Sequence, residues 1–235
     1  MATLYITSTE TFSGKSALCV GLGKRFRRDG YRIGYMKPVG TGTRLDAEAV
    51  DEDAVFFKQT FDLPDDLDDM APVRITQRVV ETILKEAEPP ALAAQLQAAF
   101  ARVSQGRDVI LLEGGSSLRE GYLIGLPTPH VADLLDAREL VVIKYNDNVQ
   151  IMDDALTAQV RLGPSFLGVV LNAVPRQRMP FVQEMVKPAL EKRSIPVLAV
   201  LPQERLLLSV SVGELVELLS GEILCCAECT DELVE

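Results

Sequence analysis

The sequence predicts an α/β fold: a mainly parallel sheet with helices on both faces. Strand-like and helix-like segments alternate from end to end, the pattern that generates layered α/β domains. Most strand segments are unbroken Val/Ile/Leu runs, as strands covered on both sides require. The first strand leads through a small-residue loop into Gly14-Lys15-Ser16 and then an apolar helix. This stretch reads as a phosphate cradle.

The first strand is placed at 3–7. In the loop that follows, backbone N–H groups and the positive end of the helix point at an anion, Lys15 reaches terminal phosphates and Ser16 offers its hydroxyl to Mg²⁺. The strict two-glycine spacing is broken, because Thr9 stands where the first glycine belongs. The helix at 15–28 sets Leu18, Val20, Leu22 and Phe26 on one inward face, a context that favours phosphate binding over an incidental tripeptide. A strand at 31–36 runs into Lys37-Pro38-Val39-Gly40-Thr41-Gly42-Thr43, read as a flexible turn rich in donors. Lys37 is placed to hold a second anionic group facing the γ-phosphate; the other reading is a solvated lysine at a strand end.

A helix at 47–61 brings Asp51 and Asp53 near its start. Either could add a carboxylate to a bound cation, but Asp51 reads better as negative charge favouring the helix macrodipole. Residues 62–72 are acidic and proline-bounded, a solvated loop rather than a metal cage. Helices are placed at 74–85 and 90–104. The strand at 108–113 ends on Glu113, and an acid there is costly unless it meets a cation, for which Mg²⁺ is the natural partner. Residues 114–130, with Gly114, Gly115, Gly121, Gly125, Pro127 and Pro129, read as a loop beside the active cleft. The single histidine, His130, has no Ser or Cys partner identifiable there and is assigned a surface or packing role.

A strand at 139–144, a helix at 149–161 and a strand at 166–171 follow. Asn172 then presents an amide that gives and accepts hydrogen bonds, as an adenine edge demands, or else serves as a turn former. A helix at 179–192 and a strand at 196–200 lead to Leu201-Pro202-Gln203-Glu204, placed to flank the base. The helix at 211–219 is expected to bury Leu215, Val216, Leu218 and Leu219.

At 235 residues, 47% hydrophobic and 25% charged, the chain suits one large domain with a sizeable core. The domain is placed at 1–220, with 221–235 as a tail or a linker to a further domain. No run has the apolar length of a membrane span, and Met1 leads directly into the first strand, so no signal peptide is read and a cytoplasmic location is expected. A net charge of −10 without a basic stripe argues against a nucleic-acid partner. Cys225, Cys226 and Cys229 resemble half a zinc site with no second half, and read as thiols in a reduced compartment. Cys19 reads as a small core residue.

Taken together, these residues resemble the dethiobiotin synthetase-like group of P-loop proteins, which includes the N-terminal domain of long phosphotransacetylases and is related to cobyrinic acid a,c-diamide synthase. The resemblance runs through most of the chain. It rests on Thr9-Glu10-Thr11 before Gly14-Lys15-Ser16, Met36-Lys37-Pro38-Val39, Asp53-Ala54, Leu112-Glu113-Gly114, Ala155-Leu156-Thr157-Ala158-Gln159-Val160 and Gly168-Val169-Val170-Leu171-Asn172. It implies a Rossmann-like P-loop NTPase fold and homodimers. Mg²⁺-ATP would be held at Thr11, Ser13, Gly14, Lys15 and Ser16, with metal contact by Ser16, Asp53 and Glu113 and adenine contact by Asn172. In dethiobiotin synthetase the corresponding lysine helps hold a substrate carbamate, so Lys37 joins Lys15 as a catalytic candidate.

The chain departs from the synthetase at Ser8, where that enzyme has glycine, at Phe12, where it has an acid, and in the Gly-Gly-Ser-Ser that follows Glu113. The segment from Leu206 to Glu235 is more like the phosphotransacetylase-type relatives, in which a regulatory domain follows. Three functions are therefore carried forward. One is an ATP-dependent ligase acting on a small carboxylate, carbamate or amine, and another is a nucleotide-dependent regulatory module. The third is an interaction module whose Gly-Lys-Ser is incidental.

Overall fold

A computed structural model describes residues 1–41, 51–85, 91–207 and 209–234. The first strand, β1 (Ala2–Ser8), feeds α1 (Lys15–Arg28) through the glycine-bearing loop, and β2 (Ile33–Met36) and β3 (Val39–Thr41) follow. Next come α2 (Glu52–Phe61), α3 (Leu67–Met70), β4 (Val73–Ile75), α4 (Gln77–Lys85) and α5 (Leu92–Val103). The chain continues with β5 (Val109–Glu113), α6 (Thr128–Leu134), β6 (Arg138–Lys144), α7 (Asn148–Leu162) and β7 (Phe166–Val174). Residues 179–191 form α8, which widens over Val182–Val186 into a π-helical stretch. Pro188 lacks the N–H that would bond to the carbonyl of Glu184, which accounts for the local change of pitch. β8 (Val197–Pro202), β9 (Val210–Ser211), α9 (Val212–Leu219) and β10 (Leu233–Val234) complete the described chain.

Six strands form one sheet in the order β2-β5-β1-β6-β7-β8, and every pair in it is parallel. Alternation along each strand divides the core. Tyr5, Ile110 and Leu112 pack with Leu96, Ala99 and Val103 of α5 and Val131 of α6. Ile6, Tyr35 and Leu111 face the opposite layer, with Cys19 of α1, Phe57 and Phe61 of α2 and Met70 of α3. Val141, Ile143, Val169 and Leu171 pack against α7 and α8. Because β1 is central, its carboxyl end and that of β5 open side by side, where parallel α/β sheets bind ligands.

Several expectations need correction. The helix placed from 74 begins at Gln77, because Val73–Ile75 pairs in parallel with Val39–Thr41. The same pairing makes part of the supposed flexible turn after Lys37 a strand; Gly42 and Thr43 lie outside the described residues, as do 47–50 of the helix placed at 47–61. The loop at 62–72 contains the helical turn α3, and the loop at 114–130 gives way to α6 at Thr128. Of the four residues expected to be buried in α9, Leu215 and Val216 are half-buried, while Leu218 and Leu219 are 80% and 74% exposed. That helix packs beside the short β9–β10 pair and not on the sheet, so one stripe suffices. Among the described residues no helix is long and apolar enough to cross a membrane.

Candidate functional site

The loop between β1 and α1 is shaped by one glycine and one asparagine. Gly14 has φ 92°, and a Cβ there would lie 2.3 Å from Nδ2 of Asn172. That amide nitrogen donates to the carbonyl of Ser13 at 2.8 Å. A side chain at position 14 would therefore break the clasp that the end of β7 places on the loop. The loop's first limb is tied to the α7 side: Thr9 Oγ1 donates to Asp154 at 3.2 Å, and Asn146 donates to Glu10 at 3.1 Å. Phe12, also at positive φ, is 91% exposed at the rim.

The tip of the loop faces a cleft of about 810 Å³. Thr11, Ser13, Gly14, Lys15, Ser16, Lys37, Asp53, Glu113 and Asn172 all line it. All nine residues picked out in the sequence thus meet in one place. Ser13 Oγ is buried without a hydrogen-bond partner among the described residues, an unusual state for a polar atom unless a ligand completes it. Gln203 and Glu204 line the far side, whereas His130 is not among the lining residues and its Nδ1 pairs with the Gly125 carbonyl at 2.8 Å.

Oxygen ligands cluster at the start of α1. Ser16 Oγ lies 2.6 Å from Glu113 Oε1 and 3.5 Å from Asp53 Oδ1. Tyr35 donates its hydroxyl to the other oxygen of Glu113 at 2.9 Å. Burial, reinforced by the charge of Asp53, raises the Glu113 pKa, and the hydrogen bonds from Ser16 and Tyr35 only partly offset it. A hydroxyl and two carboxylates, one of them destabilised as an anion, form a hard-oxygen donor set that suits Mg²⁺.

Two ammonium groups stand beside these oxygens. Burial lowers the pKa of Lys15, and the charge of Lys37 adds to this while Glu113 and Asp53 oppose it. For Lys37 burial also pulls downward, but Asp51 and Asp53 overcome it and the net shift is upward. Its Nζ lies 3.0 Å from Asp51 and 2.5 Å from Asp53, so it is a locked cation and not a solvated one. Asp51 also accepts from the Ala54 amide at 3.1 Å as the N-cap of α2, the capping role read for it together with one that was not.

Tyr35, the ion pair of Asp51 and the lining residues Lys144, Tyr145, Asn146 and Ser116 were missed. A signal existed for two of them. Lys144 ends a parallel strand just as Lys37 follows one, and Tyr35 is a hydroxyl inside an apolar run, two residues before Lys37.

A family profile described as "AAA domain" matches residues 2–211. The ATP-dependent dethiobiotin synthetase of Methanococcus vannielii is 22% identical over 212 residues, covering 86% of this chain and 94% of that protein. The phosphate acetyltransferase of Pseudomonas aeruginosa is 25% identical over 186 residues, 74% of this chain. There the match spans only 25% of the relative's length. Among solved structures, the MinC:MinD cell division protein complex of Aquifex aeolicus aligns with a TM-score of 0.53 at 15% identity, over 88% of this chain and 84% of that one. At that identity the likeness is one of fold.

Proposed function

The chain belongs to the AAA domain family, within the dethiobiotin synthetase-like P-loop proteins, and from that premise we propose that it binds Mg²⁺-ATP and acts as a nucleotide-dependent regulatory module. The observation that supports this most directly is the convergence of the Gly14 loop, buried Lys15 and the Ser16–Glu113–Asp53 oxygen cluster on one cleft. The loop amides and Lys15 would hold the phosphates, and Ser16, Asp53 and Glu113 would hold the cation. When bound, Mg²⁺ supplies charge neutralisation between phosphate oxygens. Asn172, Gln203 and Glu204 would flank the base.

Two features favour regulation over turnover. Lys37 is already neutralised by two aspartates, and Phe12 replaces an acid beside the phosphates. A ligase reading, in which the chain activates a carboxylate or carbamate, is favoured by a different observation: Lys37 faces the same cleft as Lys15, and the resemblance to a synthetase covers nearly that protein's whole length. Under the ligase reading Lys37 would orient the anion to be activated. The homodimer, the cytoplasmic location and the division at residue 220 remain part of this proposal.

Calorimetric titration with Mg²⁺-ATP tests the binding. Wild type is expected to bind, and Lys15→Ala to lose at least tenfold in affinity; equal binding by both overturns the reading. Phosphate release measured with candidate carboxylic acids and diamines separates the two functions. Stimulated release that disappears in Lys37→Ala would establish the ligase, and tight binding without release would establish the regulator.

A further inference from the structure

Three of the four thiols stand outside everything assigned so far. Cys19 is buried on the inward face of α1, whereas Cys225 and Cys226 are exposed and Cys229 is half-buried. Crowded exposed thiols invite oxidation, so such a cluster calls for a chemical reading. A metal site is not that reading: among the described residues no group of three or more His, Cys, Asp or Glu is arranged to hold an ion. Thiol–disulfide chemistry remains, and the spacing Cys226-Ala227-Glu228-Cys229 is that of redox-active pairs.

The backbone places these two cysteines together. The Cys229 amide donates to the Cys226 carbonyl at 2.9 Å, closing a four-residue turn. Such a turn keeps its first and last Cα atoms within about 7 Å, and a disulfide spans Cα separations of about 4.4 to 6.8 Å. The turn is anchored from behind. The Cys229 carbonyl accepts from Glu232 at 3.1 Å, while the carbonyls of Thr230 and Glu232 accept from the Gly213 and Val212 amides at 2.8 and 2.9 Å. The pair is therefore held against the start of α9 while its thiols stay accessible.

We propose that Cys226 and Cys229 form a dithiol site that closes to an intramolecular disulfide by exchange with small disulfides such as oxidised glutathione. Cys226, the more exposed of the two, attacks first as the thiolate. The S–S bond of the small disulfide breaks, one small thiolate leaves, and a mixed disulfide forms on Cys226. The Cys229 thiolate then attacks the Cys226 sulfur and expels the second small thiolate. The protein gives up two protons and two electrons, and one small disulfide becomes two thiols. The new bond braces the turn that presents Thr230 and Glu232 to α9. Because the closed loop is very short, its effect on the denatured chain is small and the change is local.

The test uses the full chain, folded and reduced, with oxidised glutathione as the probe. Thiol counting is expected to find three reactive thiols before oxidation and one after. Intact mass should show the loss of two hydrogens and no adduct. Cys225→Ser should still lose two hydrogens, whereas Cys226→Ser and Cys229→Ser should carry a stable glutathione adduct. A stable adduct on the wild type, closure abolished by Cys225→Ser, or disulfide-linked dimers as the only product would overturn the proposal. The readout needs no nucleotide, so its failure is distinct from failure of the proposed function.

Discussion

At Gly14 the backbone conformation and the space beside it make the same demand. A positive φ costs an L-residue about 1–2 kcal/mol, and an added Cβ would meet the Asn172 amide at 2.3 Å. Gly14→Ala is therefore expected to lower stability by about 2 kcal/mol in urea unfolding and to abolish Mg²⁺-ATP binding. Asn172→Ala removes the clasp on Ser13 without that strain. It should weaken nucleotide binding more than it weakens the fold.

At the scale of elements, α2 is what joins the core to the site. Its N-terminus supplies Asp51 and Asp53 to Lys37, and its buried face supplies Phe57. The Phe57 ring stacks on Tyr35 with centroids 4.1 Å apart, and Tyr35 in turn holds Glu113. Phe57→Ala should cost about 3–5 kcal/mol by the cavity it leaves. Because the same cavity releases Tyr35, it should also weaken Mg²⁺-dependent nucleotide binding, and a titration with and without Mg²⁺ measures that. Tyr35→Phe keeps the stacking and should show the second effect alone.

At the scale of the whole molecule, the amino end of the sheet holds a buried acid remote from the nucleotide cleft. Glu139, fully buried on β6, accepts from Ser165 through one oxygen and has no partner for the other among the described residues. Burial raises its pKa from 4.5 to about 7, with Asp133 adding to the rise and the Ser165 hydrogen bond opposing it. A raised carboxyl pKa means that the folded state keeps a proton the unfolded chain has already released. The contribution of Glu139 to stability therefore falls as pH rises from about 4.5 to about 7, by about 3 kcal/mol in all. Glu139→Gln should flatten that slope, and denaturation series across this pH range would show it. An unchanged slope would mean that Glu139 is ionised in the folded protein.

The sequence by itself determined what is local. Lys15, Ser16, Lys37, Glu113 and Asn172 could be found because each sits at the end of a strand or the start of a helix, and period and turn chemistry mark such positions. The six strands of the central sheet were legible to within about three residues for the same reason, whereas the short strands β3, β4, β9 and β10 were not. Tertiary structure alone decided what depends on distant partners. It set the strand order that brings β5 beside β1 and locked Lys37 between Asp51 and Asp53. It also placed Tyr35 on Glu113, gave the Asn172 amide to the loop, and left Leu218 and Leu219 of α9 uncovered. Periodicity reports that a face is apolar or that a charge ends a strand, but only the packing of remote segments determines which groups meet.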